Sequence, residues 1–263
     1  LKLPLAVLFT SATLAGLAAR LDELQAAGLG SGLPAIPQAS REEPVPLSFA
    51  QERFWFVHQL ALGTPILNLH AALPISGVLE LTAFRQTIQD IVERHEALRA
   101  TFVETADGQA VQVVAALQEG ELPVEDLRSL PEGERHEQVA AKSREQASVP
   151  FDLSRPPLFR LRLLRCGDEE HVLLVTTTHM VFDGWSLQVL VREVAEIYDA
   201  RHAGRVPDLP DLPVQYTDYS IWQRQYLQGE AMASLLRYWR GQLADLPVLA
   251  LPTDHPRQIG AQG

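Results

Sequence analysis

The spacing of apolar positions changes along this chain, and each change marks an element. Leu14, Leu17, Ala18, Leu21 and Leu24 fall on one helical face, with Thr10 or Ser11 placed to cap it. Alone, such a helix has nothing to bury its stripe against. Gly28-Leu29-Gly30-Ser31-Gly32, then Pro34, Pro37, Pro44 and Pro46, predict a linker over 28–46, flexible first and semi-extended after. The next helix opens with a capping box, Ser48 with Gln51, and puts Leu47, Ala50, Phe54 and Val57 on one face. A strand is predicted over 67–75. A helix follows over 83–97, with Phe84, Ile88, Ile91, Val92 and His95 in its stripe. Residues 98–103 and 110–114 read as strands joined across Asp107-Gly108, a hairpin signal. Residues 122–127 make one more short strand, and 131–148 a polar helix.

The second half has the clearest patterning. Residues 158–164 and 171–178 form an antiparallel pair across Cys166-Gly167-Asp168. The near-continuous apolar run His171-Val172-Leu173-Leu174-Val175 predicts a strand buried on both faces. Leu187, Leu190, Val191, Val194, Ile197 and Tyr198 then repeat at helical spacing, giving a helix over 185–202. Beyond Pro207, Pro210 and Pro213 two helices are expected, at 214–227 and 230–243. Helices alternating with paired and buried strands predict an α/β sandwich, a mixed sheet with helices packed on it.

Composition narrows the function classes. With 263 residues, 46% hydrophobic and 21% charged, the chain has enough material for a real core. A net charge of −11 offers no basic footprint, so nucleic acid is excluded as a partner. One cysteine, Cys166, allows no internal disulfide, and the eight histidines are too scattered for a metal cluster. The opening Leu1–Phe9 run is broken by Pro4, lacks a basic lead and is too short to span a bilayer. The expectation is a cytoplasmic protein without a membrane partner. The absence of an initiating Met predicts a piece of something longer.

The candidate chemistry sits between the buried strand and the helix after it, in Thr178-His179-Met180-Val181-Phe182-Asp183-Gly184-Trp185-Ser186. Loops held by rigid elements are where catalytic groups concentrate. An imidazole there titrates near neutrality and can take a proton from, or align, an attacking amine or hydroxyl. The plainer reading of His179 is a satisfied histidine ending a strand. For Asp183 it is a helix N-cap. Trp55, Trp185, Trp222 and Trp239 read as core or edge-packing residues, His95 as a hydrogen-bonded core histidine, and Cys166 as a thiol without a basic neighbour. Arg99 is expected to pair with an acid in the core.

Four separated stretches, in order, resemble the signature motifs of the condensation domain of nonribosomal peptide synthetases. They are Ser48–Trp55, Arg94–Phe102, His179–Ser186 (the core His-His-x-x-x-Asp-Gly) and Tyr216–Trp222. The stretch over 1–27 resembles the tail of a carrier domain, which accounts for the unpartnered helix. The resemblance implies a fold like chloramphenicol acetyltransferase, of which this chain holds the N-terminal lobe. The organisation it implies is 1–27 carrier tail, 28–46 linker, 47–254 N-terminal lobe and 255–263 the start of the crossover. The serine bearing phosphopantetheine is expected upstream, on a partner carrier.

The same resemblance implies amide-bond formation between two carrier-bound thioesters, with the isolated lobe inactive. Its partners are an upstream donor carrier, a downstream acceptor carrier and an adjacent adenylation domain; no metal is implied. His179 takes the catalytic position. Gly184 leaves room for substrate and offers a backbone N–H. Asp183 paired with Arg94 supports the loop. Thr178 stands where the family usually has a first histidine, a position read as structural. Relatives that cyclise replace the histidines with aspartate, so His179 argues against cyclisation. Two alternatives stay open: a non-catalytic relative that docks carriers or partners, and an epimerisation domain. The opening motif is similar to the subtype that accepts an L-configured donor.

Overall fold

A computed structural model describes residues 11, 13–26, 33–117, 122–247 and 254. Its elements are α1 (Leu14–Ala26), β1 (Val45–Pro46), α2 (Phe49–Leu60), β2 (Asn68–Ser76) and α3 (Leu81–Arg94). A 3-10 turn (Glu96–Arg99) leads to β3 (Ala100–Glu104), β4 (Ala110–Val114), β5 (Val124–Asp126) and α4 (Glu132–Ser148). Then come β6 (Phe159–Arg165), β7 (Glu170–Thr178), α5 (Gly184–His202), α6 (Tyr216–Tyr226) and α7 (Gly229–Gln242).

The main sheet has the order β2-β7-β6-β5 and is mixed. β7 lies antiparallel between β2 and β6, while β5 runs parallel to β6. Successive side chains of a strand point to opposite faces, so alternate residues of β6 and β7 pack on opposite sides of the sheet. Phe159, Leu163, Leu173 and Val175 meet Phe84, Ile88, Ile91 and Val92 of α3 and Ile197 of α5. Leu164 and Leu174 face the other way, toward Val139 of α4. That two-sided burial explains the unbroken apolar run read in the sequence.

A smaller antiparallel sheet, β1-β4-β3, stands apart from the first. The β3–β4 hairpin turns where Asp107-Gly108 predicts, with Gly108 at φ 80° and its N–H donated to Thr105 O at 2.9 Å. Leu47, Phe102, Phe151, Leu158 and Met180 form a second core, closed by Phe54, Trp55 and Val57 of α2.

Two details depart from the sequence reading. α3 ends at Arg94 instead of running to 97, because His95 is extended (φ −106°, ψ 101°) and breaks the helical ladder. α1 is capped by Thr13, whose Oγ1 accepts from Gly16 N at 3.1 Å; Thr10 lies outside the described residues. None of residues 14–24 is buried, in keeping with a helix that has nothing to bury its stripe against. The Pro-rich stretch before α2, read as a semi-extended linker, is tied to the body. Val45 pairs with Gln112, and Pro46 sits on an edge strand, where a missing N–H is tolerated. Gln38 Nε2 donates to Pro213 O at 3.0 Å, and Arg41 bridges Glu96 and Asp218 at 2.9 and 2.8 Å.

Candidate active site

β7 delivers His179 to the seam between the two cores. Met180, 2% exposed, and Val181 turn into the α2 core, while Phe182 packs with α3 and α5. The chain just after the histidine is thereby anchored in both cores. His179 N donates to Leu67 O at 2.9 Å, continuing the β2–β7 ladder by one residue, and Val181 N donates to Thr178 O at 3.1 Å. Thr178 is 1% exposed and its Oγ1 accepts a long bond from Met180 N at 3.4 Å. Its hydroxyl therefore serves the turn.

The ring of His179 is half-buried and stacks on Phe54, with centroids 5.0 Å apart and planes inclined by 14°. One turn earlier on α2, Gln51 Nε2 donates to Met180 O at 3.2 Å. The first motif thus holds the loop at two successive residues. Among the described residues neither ring nitrogen of His179 has a hydrogen-bond partner, so both stay available to a substrate.

Asp183 is the N-cap of α5. Its carboxylate accepts from Ser186 N at 2.8 Å and Ser186 Oγ at 2.6 Å, and Ser186 Oγ in turn accepts from Asp183 N at 3.3 Å. The Ser186 hydroxyl and amide, more than the nearby His179, hold the carboxyl below the usual carboxylate range. Gly184 is exposed, and a Cβ built on it would meet nothing within 4 Å. Nothing among the described residues requires a glycine there. It opens the first turn of a helix, where N–H groups lack intrahelical partners and negative charge is favoured. Trp185 beside it is 76% exposed.

The expected Asp183–Arg94 pair is not formed. Arg94 donates to Glu193 at 3.2 Å and to Pro210 O at 2.7 Å, and His95 Nε2 lies 2.6 Å from the same carboxylate. The pair fails because Asp183 is spent on its own helix end, whereas Glu193 projects from the buried side of α5, 5% exposed, into the space where α3 stops. A carboxylate buried there requires paired charge. Glu96 turns the other way, accepting from Arg41 and from Thr217 Oγ1 at 2.7 Å. The second motif is a junction joining α3, α5, α6 and the strap before β1.

A buried amide-and-hydroxyl network links the first and fourth motifs. Gln112 Nε2 donates to Ser220 Oγ at 3.0 Å and Gln51 Oε1 at 3.3 Å, and Ser48 Oγ lies 2.9 Å from the Tyr216 hydroxyl. α6 therefore seats α2, which seats the histidine loop. Gln51, Phe54, Gln112 and Glu193 were not picked out by sequence reasoning as parts of the site. Glu193 carried a signal: an acid on the apolar face defined by Leu190 and Ile197 needs a partner.

Other residues also land away from expectation. Trp185 and Trp239, at 76% and 55% exposed, are not core residues, while Trp55 and Trp222 are half-buried. Arg99 donates to the carbonyls of Val92 and Ala115 instead of an acid, since those carbonyls end the helix and strand beside it. Cys166 does have a basic neighbour, Arg135, but burial raises its thiol more than the charge lowers it. An apolar cavity of about 460 Å³ lies between α3, α5 and the main sheet, lined by Thr177 and Phe182 but not by His179. Among the described residues no cluster of His, Cys, Asp and Glu converges as a metal site, and no helix is long and apolar enough to cross a membrane.

Comparison with known proteins gives a consistent answer. A family model described as the condensation domain matches residues 41–262. Malpibaldin synthetase of Mortierella alpina is 37% identical over 257 residues, covering 97% of this chain and 5% of that protein. The dimodular nonribosomal peptide synthase of Bacillus subtilis (strain 168) is 38% identical over 262 residues, covering 97% and 11%. Among solved structures, the X-domain in its complex with OxyB from teicoplanin biosynthesis superposes with a TM-score of 0.73 at 31% identity, over 87% of this chain and 50% of that one. The starter condensation domain of rhizomide synthetase RzmA gives 0.71 at 24% identity, over 79% and 49%. The chain thus spans a small fraction of the curated synthetases and about half of the solved neighbours.

Proposed function

The chain belongs to the condensation-domain family, and from that premise we propose that it is the N-terminal lobe of a catalyst joining two carrier-bound thioesters through an amide bond. The α-amine of the acceptor aminoacyl thioester attacks the donor thioester carbonyl. A C–N bond forms, the C–S bond breaks, and the proton lost by the amine ends on the departing thiol. His179 aligns the amine or takes that proton. Gly184 leaves space for the thioester, and its N–H, at the electropositive start of α5, faces the oxyanion of the tetrahedral intermediate. Asp183, Thr178 and Arg94 act by holding the structure around them.

The observation that carries this reading is the setting of His179: half-buried, pinned through its backbone and one ring face, with no hydrogen-bond partner for either ring nitrogen among the described residues, and with an open glycine at the start of the helix that follows. The phosphopantetheine arms are substrate, carried by an upstream donor carrier and a downstream acceptor carrier with an adenylation domain alongside. We assign 1–27 to the tail of the donor carrier, 28–46 to the linker, 47–254 to the lobe and 255–263 to the crossover, and we locate the protein in the cytoplasm. In the two-lobe protein with both carriers loaded, mass spectrometry is expected to show the donor acyl group on the acceptor arm.

A second reading has specific support. The likeness to an X-domain solved in complex with OxyB, together with Thr178 in place of a histidine, favours a partner-docking relative. Carrier association without acyl transfer, measured in the same two-lobe protein, selects that reading and overturns the first.

A further inference from the structure

We propose that Phe54 is a positioning residue for His179, fixing the plane in which the imidazole meets the substrate. This rests on the catalytic reading of His179 given above. The torsion that turns an imidazole about its Cβ–Cγ bond is broad and only weakly two-fold, so packing must supply the preference. Three contacts restrain the residue. Leu67 O takes its backbone N–H, Gln51 holds the following carbonyl, and the Phe54 ring covers one face at 5.0 Å and 14°. Of these three, the stack is the one that acts on the ring itself, where the nearby Asp183 acts on it by charge.

Among the described residues no carboxylate or carbonyl holds a ring nitrogen in the way an orienting acid holds the base of a hydrolase triad. Nor does the neighbouring Thr178 take that part, because its hydroxyl faces the Met180 amide. Phe54 is half-buried at the edge of the second core, on the same face of α2 as Gln51. The helix is itself seated by Ser48, which contacts both Gln51 and Tyr216. The first motif, which supplies no reacting group, thus acquires a role in the reaction: it presents an aromatic face against which the catalytic ring lies flat.

The test uses the complete two-lobe protein with its carriers. Phe54→Leu keeps the apolar volume and removes the flat face; Phe54→Tyr keeps the face. Loose placement of a reacting group by about 1 Å costs on the order of a hundredfold, so Phe54→Leu is expected to lower kcat by about tenfold or more while KM for the acceptor carrier stays within about twofold. Phe54→Tyr is expected to stay near the parent rate. In the parent protein the His179 ring protons are expected upfield of free histidine in the NMR spectrum, shifted by the ring current of Phe54. Phe54→Leu at the parental kcat beside an inactive His179→Ala overturns the inference alone. His179→Ala at full rate overturns the catalytic reading instead, and the NMR shift then decides whether the stack exists. Ring protons at ordinary positions, or equal losses in the Leu and Tyr variants, overturn the inference.

Discussion

His179, Asp183 and Gly184 lie within six residues of one another, yet their demands are different. Asp183 is a capping residue, so Asp183→Ala is expected to cost about 1 kcal/mol, the usual value of an N-cap, and not the roughly 3–5 kcal/mol of a broken buried ion pair. Urea unfolding at neutral pH measures the difference. Its carboxyl is held below the ordinary range, so its contribution is complete above that range and is lost as pH falls through the depressed value. The Asp183→Ala deficit should therefore shrink in acid, modestly, because the group is exposed. Gly184→Ala meets open space, so stability is expected to hold while condensation falls. A parental rate for Gly184→Ala shows that the space is not used. The sequence exposed the type and position of these residues, because capping chemistry is local. It could not show which base meets which acid: Arg94 and Glu193 are 99 residues apart, and only the folded chain brings them together.

Elements here are joined by buried polar groups as much as by apolar packing. The Glu193 carboxylate, 5% exposed, closes the gap between α3 and α5 with Arg94 and His95 around it. Truncating it leaves buried positive charge uncompensated, so Glu193→Ala is expected to destabilise the lobe by about 3–5 kcal/mol. The half-exposed Asp90–Arg201 pair spans the same helices with two bonds of 2.7 Å. Its loss through Arg201→Ala is expected to cost about 1 kcal/mol or less. Equal effects from the two variants in calorimetry contradict this ranking. Helix positions were legible from apolar residues at a period of 3.6, and strands from a short continuous apolar run or a hairpin signal between them. Element ends were less so. His95 ends α3 through its backbone angles and its contact with Glu193, neither of which a periodicity registers.

At the scale of the whole molecule, the strap before β1 is fastened by charge. Burial works against ionisation of Asp218, yet Arg41 and the amides of Gln215 and Ala39 hold its carboxyl below the usual range. Arg41→Ala is expected to speed amide exchange at Ala39 while the β2–β7 ladder keeps its protection; unchanged exchange at Ala39 contradicts a charge-held strap. Composition suggested a linker, flexible first and semi-extended after, because proline and glycine content reports on backbone stiffness, not on a single arginine that finds two acids across the fold. The four motifs, scattered over the sequence, converge as one support. α6 holds α2, α2 holds the histidine loop, and the second motif holds α5 behind it. On the function proposed above, this whole arrangement serves to present one imidazole. The most direct test of that claim is the rate of acyl transfer by the two-lobe protein carrying His179→Ala, with carrier binding and thermal unfolding measured alongside. A positioned base contributes about 10²–10⁴-fold. The account predicts a loss in that range with binding and folding intact; transfer at the parental rate contradicts it.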